Sequence, residues 1–290
     1  MKRLALLLGF ALASLLPLGA QVSVEVTLDQ EHFLSGEDLT AAVHITNHSG
    51  QTLHLGGEPD WLTFALESRD RRGIVIKNSE PAVLGEFTLP NTKVATRRVE
   101  LVPHFDLALA GRYTIVASVR IKEWDQTLTT KPKSFDIING AKLWSQDFGV
   151  PVAGATNRSP EVRKYALEQA NYLRTQLRLY FRLTDAEGER VLKVFSLGPM
   201  VSFGIPEHQI DQVSNLHVLF QNGARAFSYT VINPDGDILI RQTHDYTGTR
   251  PKLQLDEKGR LMVVGGARRP TSEDIPGPPP PEEISPPKTP

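Results

Sequence analysis

Hydrophobic and polar positions alternate one by one through much of this chain. Val22, Val24, Val26 and Leu28 alternate with Ser23, Glu25, Thr27 and Asp29. After a Ser35-Gly36-Glu37 turn, Leu39, Ala41, Val43 and Ile45 alternate again up to Asn47. A period of two sends successive side chains to opposite faces of a half-buried strand. Leu53–Leu55, Leu62–Leu66, Gly73–Ile76, Val94–Val102, Tyr113–Ile121 and Ser134–Ile138 supply further short candidates between turn residues. With no helical period between them, they predict an all-β sandwich over residues 21–139, with Trp61 as a core aromatic.

Asn139 to Arg158 is rich in Gly, Ala, Asn and Pro, and residues 140–158 read as a linker. Ser159-Pro160-Glu161 then has the make-up of a helix start: a serine cap, a first-turn proline and an acid at the positive end of the helix dipole. Val162, Ala166, Ala170, Leu173 and Leu177 follow at helical spacing, predicting a helix over 160–174, with a long strand feeding Leu179–Leu183 as the competitor. Beyond it, apolar segments flank Asp185-Ala186-Glu187-Gly188, Asn233-Pro234-Asp235-Gly236 and Asp256-Glu257-Lys258-Gly259. Each turn closes on glycine, which takes a positive φ without steric cost, so each predicts a β-hairpin. Asn222-Gly223 is placed to close a fourth. Residues 159–269 thus read as a second domain, a β-meander with one helix. The fold class is mainly β.

The two ends of the chain differ from this pattern. Lys2 and Arg3 precede an uncharged apolar run from Leu4 to Leu16, closed by Pro17-Leu18-Gly19-Ala20. That order is a secretory signal peptide over 1–20, and the run is shorter than the roughly 20 apolar residues of a membrane span. No second run of that length follows. At the other end, residues 270–290 hold nine prolines in 21 positions and read as an extended, disordered tail.

Composition narrows the chemistry. Cysteine is absent from the 290 residues, which excludes disulfides, thiolate catalysis and lipidation at a post-signal cysteine. An exported chain without cysteine points to a bacterial, periplasmic or secreted protein. The 32 basic and 33 acidic residues leave no basic excess, so no nucleic-acid partner is expected.

Leu109-Ala110-Gly111-Arg112-Tyr113 immediately precedes an alternating strand and resembles the tyrosine corner of immunoglobulin-like sandwiches. Phe33-Leu34-Ser35-Gly36-Glu37, Val43-His44-Ile45-Thr46-Asn47 and Gly111-Arg112-Tyr113-Thr114 are similar to bacterial extracytoplasmic immunoglobulin-like modules. The resemblance covers about 115 residues of the first half and implies a sandwich fold. Proteinase inhibitors, adhesion modules and domain spacers share such patterns, so it leaves the function open. The usual cysteine pair is missing, and the core must hold by packing.

The histidines are the natural candidates for acid–base or metal chemistry. His44, His48 and His54 lie close together in sequence, but Gly50 interrupts them and no acid sits at ligand spacing. Arg241-Gln242-Thr243-His244-Asp245-Tyr246 is the densest polar and aromatic run beside a strand end. Arg241, His244, Asp245 and Tyr246, with His217, are the weak binding candidates. No Gly-x-Ser-x-Gly elbow and no His-Glu-x-x-His pattern occurs. The Asn233 and Asp256 turns resemble calcium loops only in having acids before glycine. The sequence therefore assigns no catalytic residue, no metal and no cofactor. It predicts an exported, non-catalytic binding or structural protein of the bacterial envelope, with a protein or envelope polymer as partner. The alternatives are a hydrolase centred on Arg241, His244 and Asp245, or a proteinase-inhibitor-like sandwich.

Overall fold

The alternating segments form strands along the whole chain. The structure, a computed structural model, describes residues 22–70, 73–150, 161–173 and 175–276. The expected signal peptide, the Ser159-Pro160 cap and the part of the tail from Gly277 lie outside the described residues. Among the described residues the one helical element is a 3-10 turn at Lys122–Trp124, and the class is mainly β. None of their helices is long and apolar enough to cross a membrane. Packing divides the chain into two units. Unit 1 comprises the residues up to Glu31 and Leu39–Asp136; unit 2 comprises His32–Asp38 and everything from Ile137 onward.

The first eleven strands, in chain order, are β1 (Val22–Leu28), β2 (His32–Leu34), β3 (Thr40–Asn47), β4 (Leu53–Leu55), β5 (Leu62–Ser68) and β6 (Gly73–Ile74). Then come β7 (Phe87–Leu89), β8 (Val94–Glu100), β9 (Gly111–Ile121), β10 (Gln126–Thr129) and β11 (Lys133–Ile138). In unit 1, one sheet runs β1-β3-β8 and another β11-β9-β5-β6, with β10 also on β9; β4 and β7 pair separately. The alternate residues Ala41, Val43 and Ile45 on β3, Leu62, Phe64 and Leu66 on β5, and Ile115, Ala117 and Val119 on β9 are buried. Trp61 is buried as expected, with its indole N–H donating to the Val83 carbonyl at 2.8 Å. At the start of β9 the buried Tyr113 stacks on Phe135, and its hydroxyl donates to the Leu109 carbonyl at 2.6 Å.

The remaining strands are β12 (Ala141–Val150), β13 (Glu161–Tyr172), β14 (Gln176–Asp185), β15 (Val191–Pro199), β16 (Glu207–Ile210) and β17 (Leu216–Gln221). They continue with β18 (Ala226–Ile232), β19 (Ile238–Asp245), β20 (Lys252–Leu255), β21 (Leu261–Val264) and β22 (Ala267–Arg269). Unit 2 is a sandwich of the sheets β12-β13-β14-β15 and β16-β17-β18-β19-β22. Tyr165, Leu167, Leu179, Phe181 and Leu183 of the first sheet meet Leu216, Val218, Phe220 and Ile232 of the second in one buried core. The outer face of the second sheet carries Leu219, Phe227, Tyr229 and Val231. The β20-β21 hairpin lays Leu253 and Val263 over it.

The helix expected at 160–174 is the strand β13. Its apolar positions recur every four residues, and four is a multiple of two. Val162, Ala166 and Ala170 therefore share one face of a strand as well as of a helix. What decides is the chain on either side: β13 pairs with β12 and with β14 over nearly its whole length. Helix propensity of a few tenths of a kcal/mol per residue does not outweigh two hydrogen-bonded edges and a filled core. Ala166 stands opposite Arg182, which reaches diagonally to Glu168 (Nε to Oε1, 2.9 Å) and donates to the Ser35 carbonyl at 2.8 Å. The short alanine side chain leaves room for that guanidinium. Residues 140–158, read as a linker, contain β12, and Asn139 and Gly140 already belong to unit 2. The tail reading starts too early: Ile275 pairs through its backbone with Arg241, and Asp274 is buried.

Candidate functional site

All four expected hairpin turns form, and the polar chemistry of unit 2 collects around two of the strands they join. β17 and β18 are antiparallel neighbours with His217 opposite Val231 and Leu219 opposite Tyr229. Residues opposite one another share a face, and so do alternate residues along a strand. His217 and Tyr229 thus project from the same outer face, and their side chains meet diagonally. His217 Nδ1 lies 2.8 Å from the Tyr229 hydroxyl and Nε2 lies 3.3 Å from Asp211 Oδ2. The arrangement that satisfies all three groups has a neutral imidazole donating from Nε2 to Asp211 and accepting the Tyr229 proton at Nδ1.

The electrostatics agree with that assignment. Burial lowers the His217 pKa below its ordinary value, against the opposing pull of Asp211. Burial also pushes Tyr229 up to about 12, with the Asp211 charge adding to it. For Asp211 itself burial acts upward but is outweighed, and its pKa falls. Its carboxylate accepts from the backbone N–H groups of Val213 and Asn215, from the Asn215 amide and from His217. Asp211 and His217 border a cleft of about 330 Å³ whose other wall is the β20-β21 turn, with Lys258 and Arg260.

His244 stands opposite Phe227 on β19, on the same outer face as Tyr229, with the two rings edge to face at 6.2 Å. It is buried and its Nε2 has no hydrogen-bond partner among the described residues. Burial and then the nearby Arg268 lower its pKa. Arg268 is itself bound to the buried Asp274 at 3.0 Å.

The structure brings only part of the expected cluster together. His217 and His244 share the outer face through Tyr229. Arg241 and Asp245 alternate with His244 along β19 and stand opposite Thr230 and Ala226, so they face the other way. Asp245 is bound by Arg269 at 2.9 Å. Tyr246 lies past the strand end, half exposed, under the guanidinium of Arg225. Asp211 and Tyr229 were missed by sequence reasoning. The signal for Tyr229 was its parity with His217 across the Asn222-Gly223 hairpin. Asp211 sits on a loop, where no periodicity speaks.

The other histidines are held separately. His44 lies between the Thr27 and Thr96 hydroxyls at 3.1 and 2.9 Å, and His54 pairs with Glu123 at 3.1 Å. No group of three or more His, Asp or Glu side chains is gathered as a metal would need among the described residues. The acids of the expected hairpin turns serve the turns. Asn233 Oδ1 accepts from the backbone of Asp235 and Asp237, and Asp256 Oδ1 from that of Lys258 and Arg260. Unit 1 has a cavity of about 300 Å³ lined by His54, Glu58, Trp61 and Lys122 among others, and Lys122 and Glu58 pair across it at 2.6 Å.

No family model matches the chain, and no curated protein matches it. Solved chains do match. Among them is the sporulation control protein Spo0M from Bacillus subtilis, 11% identical, aligned over 61% of this chain and 91% of that one at a TM-score of 0.30.

Proposed function

We propose that the chain is an exported, non-catalytic binding or structural protein of the bacterial envelope, resident in the periplasm or released from it. The observation that carries this reading is the state of His217, the histidine best placed beside a cleft. Both of its ring nitrogens are engaged, Nε2 by Asp211 and Nδ1 by the hydroxyl of Tyr229, so a proton could pass to the ring only from a phenol that is itself buried and pushed up to about 12. A hydrolase centred on Arg241, His244 and Asp245 would need those groups to converge, and β19 sends them to opposite faces. The leader at 1–20 supports export. The Tyr113–Leu109 bond at the entry to β9 supports reading unit 1 as an immunoglobulin-like sandwich.

The test is crosslinking in intact cells of a Gram-negative host carrying the full-length gene. The reading expects the processed chain in the periplasmic or secreted fraction, joined to a reproducible protein or envelope-polymer adduct. Retention in the cytoplasm would end it. So would turnover of an ester, peptide, glycoside or phosphoester by the pure chain that is lost in His244→Asn.

A further inference from the structure

The turns of unit 2 fall on two ends of its sandwich, and their chemistry differs between the ends. Antiparallel order returns the chain to the same end at every second turn. The loops after β13, β15, β17, β19 and β21 therefore share one end. Contacts confirm this: Val201 N donates to the Gln221 carbonyl at 3.0 Å, Tyr246 N to that of Arg225 at 2.7 Å, and Gly266 N to Thr249 Oγ1 at 3.2 Å. These five loops contain no Asp or Glu in the sequence, whereas the turns after β14, β16, β18 and β20, which return to the opposite end, each carry one or two; the connection from β12 to β13 carries none.

The end formed by these five loops also carries the two most exposed large apolar side chains of unit 2. Phe203 and Ile205, on the loop between β15 and β16, are 80% and 83% exposed, and Leu173 and Tyr246 are half exposed on two other loops of this end. The Phe203 loop is held in shape, since Gly204 N donates to the Val201 carbonyl at 3.0 Å. Arg225 and Arg250 are exposed on the same end, and neither meets a carboxylate among the described residues. The nearest acids, Glu207 and Asp245, lie at strand ends and are engaged by the Leu253 backbone N–H and by Arg269.

We propose that this end of unit 2 docks on an anionic lipid bilayer, with Phe203 and Ile205 inserted at the interface and Arg225 and Arg250 on the headgroups. Phe203 and Ile205 stand out on one loop without a groove between them, which suits a fluid surface that closes around both. Arg225 donates to the Tyr246 and Thr247 carbonyls and Arg250 lies over the Phe227 ring, so neither charge is offset by a carboxylate and both complement a negative surface. Tyr246 stacked beneath Arg225 has the amphipathic character that favours the headgroup level. The inference rests on the binding reading above and names its partner class.

The experiment is cosedimentation of the chain from Gln21 onward, so that the apolar leader cannot supply the contact. Vesicles of phosphatidylcholine with and without phosphatidylglycerol are compared. Binding is expected only with phosphatidylglycerol and should weaken with salt. Phe203→Ser/Ile205→Ser should lower partition by more than about tenfold, and Arg225→Gln and Arg250→Gln by about fivefold each. All four sites are exposed, and an unchanged thermal midpoint verifies that the variants fold. No binding to phosphatidylglycerol vesicles, or binding indifferent to the Phe203/Ile205 variant, overturns the proposal. A protein adduct in cells that is lost in that variant, with vesicles left unbound, assigns this end to a protein. That result overturns the lipid proposal while leaving the binding reading standing.

Discussion

Lowering the pH from about 7.5 to about 5 should destabilise unit 2 through two imidazoles. His217 and His244 are both held neutral by burial, below the ordinary value of 6.5. A histidine whose folded pKa is depressed binds its proton more readily in the unfolded chain. Its contribution to stability is therefore complete above about 6.5 and is lost as the pH falls toward the folded value. Each pH unit crossed in that window costs up to about 1.4 kcal/mol per histidine, or up to about 2.7 kcal/mol for the pair. The local chemistry explains why neither ring accepts the proton easily. A proton on His217 Nδ1 displaces the one that Tyr229 donates there, although Asp211 offsets part of that cost. His244 has no acceptor at Nε2 and stands beside the charge of Arg268. The Asp211 pKa is also lowered, so that carboxylate stays ionised throughout this window and adds no slope. Titration of the imidazole C–H resonances by NMR, assigned with His217→Asn and His244→Asn, reads both values directly. Urea unfolding at several pH values reads the slope. Titration of either ring at or above 6.5, or a urea midpoint that does not move, would refute the reasoning.

Further substitutions probe packing elsewhere in the two units, each by urea unfolding. Arg182→Met leaves Glu168, 8% exposed, without its cation and should cost about 3–5 kcal/mol. Adding Glu168→Leu should restore most of that loss, because no uncompensated charge is left behind. Tyr113→Phe removes the hydroxyl bond to the Leu109 carbonyl and should lower the stability of unit 1 by about 1 kcal/mol. Gly56→Ala should destabilise unit 1 by more than about 1 kcal/mol, since φ is +86° and the new Cβ would lie 2.3 Å from the Gly85 carbonyl oxygen.

Most strands of unit 1 were legible as short apolar or alternating segments between turn residues, and the four hairpins of unit 2 by their glycine-containing turns; the short strands β7 and β10 carried no such signal. β13 was not, because its apolar spacing fits either periodicity and the deciding factor, pairing on both edges, is not local. β12 was hidden differently. Ala141–Val150 is mostly exposed, with Phe148 its one buried side chain, so an edge strand of this kind has the composition of a linker. The segment Thr271–Ile275 was absorbed into the proline-rich tail for the same reason. Its hold on the fold is a backbone pairing with Arg241 and a buried aspartate, neither of which has a hydrophobic signature. At the candidate site, the sequence picked out His217 and His244 by residue type. That Arg241 and Asp245 face away from His244 followed from strict alternation once 238–245 was taken as a strand, and grouping the three by their closeness in sequence overlooked it.

Alternation also operates one level up, in the turns. Asp185-to-Gly188, Asn233-to-Gly236 and Asp256-to-Gly259 are closed by their own carboxylates or amides, which is why acids gather in them. In an antiparallel meander such turns come at every second reversal and so land on one end. The reversals between them are Met200–Pro206, Asn222–Arg225 and Tyr246–Pro251, whose side chains meet none of those capping demands, and they form the other end. The polarity of unit 2 follows from the order of its turns, so it was present in the sequence once the strands were counted. The helical reading of 160–174 concealed only the first reversal of the series. Loops free of carboxylates at one end, one of them tipped with Phe203 and Ile205, are then a consequence of strand order acting on turn chemistry.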